Sequence, residues 1–120
     1  MGISFIKKGN TLIARLDGEI EQHSKESIKN SIEREYSKTN SINLLLDYKY
    51  VSFMDSSGIG MVIGRYKEVK AAGGEVGVVN LSESIEKVFS VSGLFSLIKQ
   101  YKTINDAICA VNGGVYNEWK

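Results

Sequence analysis

The stretch Ser52-Phe53-Met54-Asp55-Ser56-Ser57-Gly58-Ile59-Gly60 gathers a carboxylate, adjacent hydroxyls and glycines in one place. Four chemistries use such groups. A phosphate cradle would use Gly58, Gly60 and the later Gly64. The G-x-x-x-x-G-K-[ST] form is absent, however, and these glycines fall inside a helical pattern, where they let a helix pack closely on a sheet. A serine nucleophile at Ser56 or Ser57 needs a base. The single histidine, His23, is the one neutral-pH candidate, and a G-x-S-x-G elbow is missing. A metal site needs a ligand cluster, which one histidine and one cysteine, Cys109, do not make. The fourth chemistry is phosphorylation of Ser56. A phosphate adds about −1.5 to −2 charges. At a helix N-terminus the free N–H groups and the dipole accept that charge, so the fold survives it. A partner built against a neutral hydroxyl would instead meet a dianion beside Asp55. Repulsion and desolvation of that kind cost several kcal/mol, roughly two decades of affinity or more. The plainer alternative is that both serines only cap a helix. Residue types alone leave cap and switch open and favour the cap.

The elements around this stretch follow from periodicity. Ile3 to Lys7, a turn at Lys8-Gly9-Asn10, and alternating Thr11 to Leu16 read as a hairpin that ends at Asp17-Gly18-Glu19. Ile20 to Ser24 is a polar connection containing His23. Ser24 is positioned to N-cap a helix reaching about Lys38, with Ile28, Ile32 and Tyr36 as its narrow apolar stripe. Ile42 to Asp47 reads as a central strand covered on both faces, followed by a junction over Asp47 to Phe53. From Ile59 to Ala72, the positions Ile59, Val62, Ile63, Tyr66 and Val69 form one helical face, stopped by Gly73-Gly74. Arg65 and Lys67 read as part of the solvated face. Val76 to Val79 is a strand. Ser82 caps a short helix with Ile85, Val88 and Phe89 inward, stopped near Gly93. A short strand is expected from about Leu97, and a loose capping box at Thr103 to Asp106 opens a last helix with Ile104, Ala107, Ile108 and Val111 inward. Gly113-Gly114 ends that helix, and the rest, with Trp119, reads as a frayed tail. The order β-β-α-β-α-β-α-β-α predicts an α/β fold with a mixed, mostly parallel sheet of about five strands and four helices. Sites in such sheets form at the carboxyl ends of strands. Both the Asp55 junction and the Asp17 to His23 loop lie there.

Composition bounds the function. The chain has 120 residues, 42% of them hydrophobic, with 15 Lys plus Arg against 14 Asp plus Glu. One domain is expected, without general attraction to nucleic acid or to anionic membrane. Cys109 has no disulfide partner and lies in an apolar run, which reads as a buried small hydrophobe. The start of the chain fits neither a signal peptide nor a myristoylation site, and no apolar run approaches the roughly 20 residues of a membrane span. A soluble, cytoplasmic protein is the expectation.

The run Val51 to Lys67 closely resembles the signature of bacterial anti-sigma factor antagonists of the STAS domain family. Leu16-Asp17-Gly18-Glu19-Ile20, Ala72-Gly73-Gly74, and Val88-Phe89 to Ser92-Gly93-Leu94-Phe95 recur at that family's spacing, so the resemblance covers about residues 3 to 112. It implies a STAS-type fold, with a single domain over 1–112 and a tail over 113–120. Gly64-Arg65-Tyr66-Lys67 and Leu94-Phe95 are most similar to the family's sporulation members. The resemblance implies an antagonist that is a substrate and binding module, not an enzyme. Its unphosphorylated form would bind an anti-sigma factor that is also a serine kinase, and so release the sporulation sigma factor F. That kinase, which holds the ATP, would phosphorylate Ser56 and switch binding off, and a PP2C-type phosphatase would restore it. No cofactor of the chain itself is implied. The partner-binding face would comprise Glu21, His23, Asp55, Ser56, Ser57, Gly58 and Ile59. Ser57 and Gly58 would let the backbone turn tightly into the helix. Glu21 departs from the family's usual Asp. Two alternatives stand beside this reading: an antagonist in general stress, and a ligand- or nucleotide-binding STAS module.

Overall fold

The structure, a computed structural model, describes residues 2–111. Strands β1 (Gly2–Lys8) and β2 (Thr11–Ile20) form the antiparallel hairpin. Strands β3 (Asn43–Met54), β4 (Val76–Val79) and β5 (Lys99–Tyr101) add on in parallel, giving the sheet order β1-β2-β3-β4-β5. Helices α1 (Lys25–Lys38), α2 (Ser56–Ala71), α3 (Glu83–Ser92) and α4 (Ile104–Val111) alternate with the parallel strands. This is the mixed five-stranded α/β architecture that the order of elements predicts.

The period of two along each strand divides the core. Leu12, Ala14 and Leu16 of β2, with Leu44, Leu46 and Tyr48 of β3, face one way. They pack against Ile28, Ile32 and Tyr36 of α1, Met61, Val62 and Val69 of α2, and Ile85 and Phe89 of α3. The alternate residues Ile13 and Leu45, with Val79, face the other way and meet Ala107 of α4. Asp47 also points to that second face. It is fully buried, and its carboxylate accepts from Arg15 Nε (3.1 Å), Asn80 Nδ2 (2.9 Å) and the Lys49 amide (3.0 Å). Satisfied in this way, a buried carboxylate carries no orphan lone-pair cost.

Several sequence expectations are corrected. Strand β2 does not stop at Asp17-Gly18-Glu19. It continues to Ile20 across two register shifts, and Gly18 takes φ +104 there, a conformation open to glycine. Likewise β3 runs through the expected junction to Met54, because Val51 and Met54 keep returning to the core while Lys49, Tyr50, Ser52 and Phe53 are exposed. Helix α2 starts at Ser56 rather than near Ile59. Arg65 is not on a solvated face: it is 4% exposed, with Nη2 at 2.9 Å from Glu33 of α1 and Nε at 3.4 Å from Glu68. Lys67 is exposed, as expected. A Cβ on Gly60 or Gly64 would meet nothing within 4 Å, so of the three helical glycines only Gly58 serves close packing. After α3, capped by Ser82 and stopped by left-handed Gly93, the chain makes a 3-10 turn over Leu94–Ser96. Strand β5 therefore begins at Lys99 rather than Leu97. Cys109 is half-buried rather than buried. Gly113-Gly114 and Trp119 lie outside the described residues.

Candidate functional site

Two loops meet at the carboxyl end of the sheet because β2 and β3 are parallel neighbours. Ile20 pairs with Met54 and Glu19 with Phe53, so each strand ends beside the other. The Asp55 amide donates to the Ile20 carbonyl at 3.1 Å, and Ser52 Oγ donates to the Gly18 carbonyl at 3.4 Å. Register thus brings the Glu21–His23 loop to the start of α2.

Asp55 is the N-cap of α2. Its backbone is extended and Oδ1 accepts from the Ser57 amide at 2.8 Å. One of the helix's orphan donors is thereby satisfied. Ser57 Oγ donates across the loops to Gln22 Oε1 at 2.9 Å. Ser56 differs. It is the first residue of α2 and is exposed, and among the described residues its hydroxyl makes no hydrogen bond. Neither serine caps the helix; Asp55 does. Gly58 is buried, and a Cβ there would meet Met54 Sδ at 2.8 Å and Ile20 Cγ2 at 3.0 Å. The glycine is required by this approach, not by a turn.

The Glu21 carboxylate is occupied by its own loop. Oε1 accepts from the amides of His23 (2.8 Å) and Ser24 (2.9 Å), and Oε2 lies 3.1 Å from His23 Nδ1. The hydrogen bond from the His23 ring, chiefly, holds this carboxyl below the usual carboxylate range; desolvation, next in size, opposes it, and the backbone amides and the imidazole charge add to the lowering. Ser24 does not cap α1 with its side chain. Its hydroxyl instead donates to the Glu19 carbonyl at 2.6 Å and accepts from the Glu21 amide at 3.0 Å, so it ties the loop to β2. Sequence reasoning missed Gln22, for which exposed polarity gives no signal. The His23 ring faces Glu21 and Ser57 faces Gln22, so no serine–histidine hydrogen bond exists among the described residues.

Beside Ser56 a groove of about 420 Å³ opens between α2 and α3. Met54, Ile59, Val88 and Val91 make it apolar, and Asp55, Ser56 and Lys87 border it. Val91 is 82% exposed, on a helix whose inward residues are Ile85 and Phe89. With Met54, Ile59 and Val88 it forms one contiguous apolar patch, which is informative where a single exposed aliphatic would not be. Val88 packs partly against the core, as its inward position in the sequence predicts, and lines the groove as well; Val91 and Lys87 carry no sequence signal of the groove. No helix among the described residues is long and apolar enough to cross a membrane, and none of their His, Cys, Asp and Glu side chains group as a metal site.

The site therefore combines an unengaged hydroxyl, a capped helix start and an apolar groove. Comparison with known proteins gives the family. The STAS domain profile matches residues 3–107. An anti-sigma F factor antagonist of Paenibacillus polymyxa is 32% identical over 90 residues, 75% of this chain and 77% of that protein. An anti-sigma-B factor antagonist of Bacillus subtilis is 41% identical over 56 residues, 47% of this chain and 51% of that one. The solved structure of the anti-sigma factor antagonist SpoIIAA in its unphosphorylated form superposes with a TM-score of 0.80 at 32% identity, covering 95% of this chain and 99% of that one. The Bacillus SpoIIAA in its phosphorylated form superposes at 0.70, with 32% identity and coverages of 92% and 99%. This chain belongs to the STAS domain family, among its anti-sigma factor antagonists.

Proposed function

We propose that the chain is a phosphorylation-switched antagonist of an anti-sigma factor. In its unphosphorylated form it binds an anti-sigma factor that is also a serine kinase, and sigma factor F is thereby released. ATP held by that kinase phosphorylates Ser56 and ends binding; a PP2C-type phosphatase reverses this. The observation that carries the reading is the contrast between two adjacent hydroxyls. Ser57 is tied to Gln22, whereas Ser56 is exposed and, among the described residues, unbonded at the start of a 16-residue helix and on the rim of an apolar groove. A groove of this kind takes a partner's apolar side chain, and its rim is where an added dianion is most costly to bury. Asp55, Ser56, Ile59 and the Glu21–His23 loop form the docking face. Ser57 and Gly58 act behind it, by holding the loop and by letting α2 sit on Met54.

Incubation with the cognate anti-sigma kinase and ATP tests the acceptor: Ser56→Ala loses labelling, and labelling at the wild-type rate would refute the assignment. Ser56→Asp is expected to weaken association with the anti-sigma factor at least about tenfold. Unchanged affinity would remove charge repulsion as the mechanism. The similarity to the anti-sigma-B antagonist favours a second reading, a general-stress pathway through the same switch. Capture of the native anti-sigma factor by the unphosphorylated protein separates the two.

A further inference from the structure

Lys87 lines the Ser56 groove from the opposite side, on α3, and it is the one cation among the groove residues. It is exposed, and among the described residues it has no ion pair. The lysines at 29 and 70 have carboxylates within 4 Å, Lys29 with Glu26 and Glu33 and Lys70 with Glu75. Among the residues lining the two hollows beside Lys87, the other charged groups are Asp55, Glu83 and Glu86. Asp55 borders the same groove but its Oδ1 holds the Ser57 amide. Glu83 and Glu86 share α3 with Lys87 and line the hollow on its other side. Between the free ammonium and the free Ser56 hydroxyl lie Ile59, Val88 and the other apolar residues of the groove.

We infer that Lys87 receives the Ser56 phosphate, so that phosphorylation closes the apolar groove with a side chain of the same protein. The inference rests on Ser56 being the acceptor. A lysine carries four methylenes below its charge. Drawn to a dianion across the groove, that stem lies over Ile59 and Val88. A partner's apolar side chain then finds its seat filled as well as its rim charged. The switch thus acts by occlusion and not by repulsion alone, and it needs no backbone movement. Asp55, the existing carboxylate on that rim, favours the same movement of the ammonium but is already committed to its cap.

The test uses the full chain with phosphoserine incorporated at position 56 during translation, so that it does not depend on any kinase. Phosphorus NMR follows the second ionisation of the phosphate in this protein and in its Lys87→Met and Lys67→Met variants. A nearby cation favours the dianion, so Lys87→Met is expected to raise that pKa by roughly 0.3–1. Lys67→Met, exposed elsewhere on α2, leaves it unmoved. Nuclear Overhauser contacts from the Lys87 side chain to the Ile59 methyls, across the groove on α2, are expected in the phosphorylated protein and absent without phosphate. A loss of packing alone would not move the phosphate's ionisation. Identical titration of wild type and Lys87→Met, or no new methyl contacts, overturns the inference and leaves the Ser56 assignment standing. Kinase labelling of Ser56→Ala, in contrast, would refute the acceptor while the lysine–phosphate contact was still measured.

Discussion

Ser56 and Ser57 carry the same group in different surroundings, and the difference comes from neighbours distant in sequence. Ser57→Ala removes an exposed hydrogen bond to Gln22, so a loss of at most about 1 kcal/mol is expected, with labelling at Ser56 retained. Equilibrium urea unfolding and a kinase assay check the two halves. Gly58→Ala is a harsher change, because its methyl would enter the space of Met54 and Ile20. A cost of about 1–3 kcal/mol is expected in the same unfolding experiment, typical of overpacking. At Glu21 the prediction concerns pH. His23→Ala removes the first cause of the lowered carboxyl pKa, so the Glu21 ionisation followed by carbon NMR should rise toward the ordinary range. A carboxylate depressed in the folded state contributes its stability above the unfolded pKa and loses it as pH falls through the folded one. The Glu21–His23 turn is therefore expected to loosen only on acidification through and below the carboxylate range.

Helix α2 is held at its start by Asp55 and along its side by Arg65. Asp55→Ala leaves the Ser57 amide without its partner, and a loss of about 1 kcal/mol is expected by thermal or urea unfolding. Arg65 is buried against α1 through Glu33, yet among the described residues its Nε and Nη1 have no hydrogen-bond partner, Nε lying 3.4 Å from Glu68 only as a charge contact. Charge deletion on one side is expected to destabilise, and joint replacement less so. Arg65→Ala should cost more than Arg65→Met with Glu33→Gln, because the uncharged pair fills the space without leaving Glu33 as an unpaired charge. Much of this was legible in the sequence. The spacing of Ile28, Ile32 and Tyr36, the unbroken Leu44-Leu45-Leu46, and the stops at Gly73 and Gly93 marked their elements correctly. The ends of β2 and β3 were not legible, since register shifts and bulges break the alternation that marks a strand. Arg65 escaped because a guanidinium is buried only when a carboxylate on another helix meets it, which no local pattern records. The groove escaped for a similar reason: Ile59 and Val91 lie on different helices, and only their packing brings them to one surface.

At the scale of the whole molecule, three helices cover one face of the sheet and one short helix covers part of the other. The Ser56 site belongs to the larger cluster, since Met54 and Val62 anchor β3 and α2 within it. The smaller cluster has Ile13, Leu45, Val79 and Ala107 as its fully packed members, with Ile104, Ile108 and Val111 only partly covered. That inequality bears on how the molecule opens. Among the described residues, an eight-residue helix with one buried side chain has few contacts to lose when it lifts away. Native-state deuterium exchange should therefore find two regimes. The amides of α4 exchange through a low-energy local opening that is insensitive to Ser56→Asp. Those of β3 and the inner turns of α2 exchange only when the whole fold opens. Equal protection in α4 and β3 would contradict this hierarchy. If it holds, the far side of the sheet can unlatch and reclose many times while the phosphorylatable surface keeps its shape.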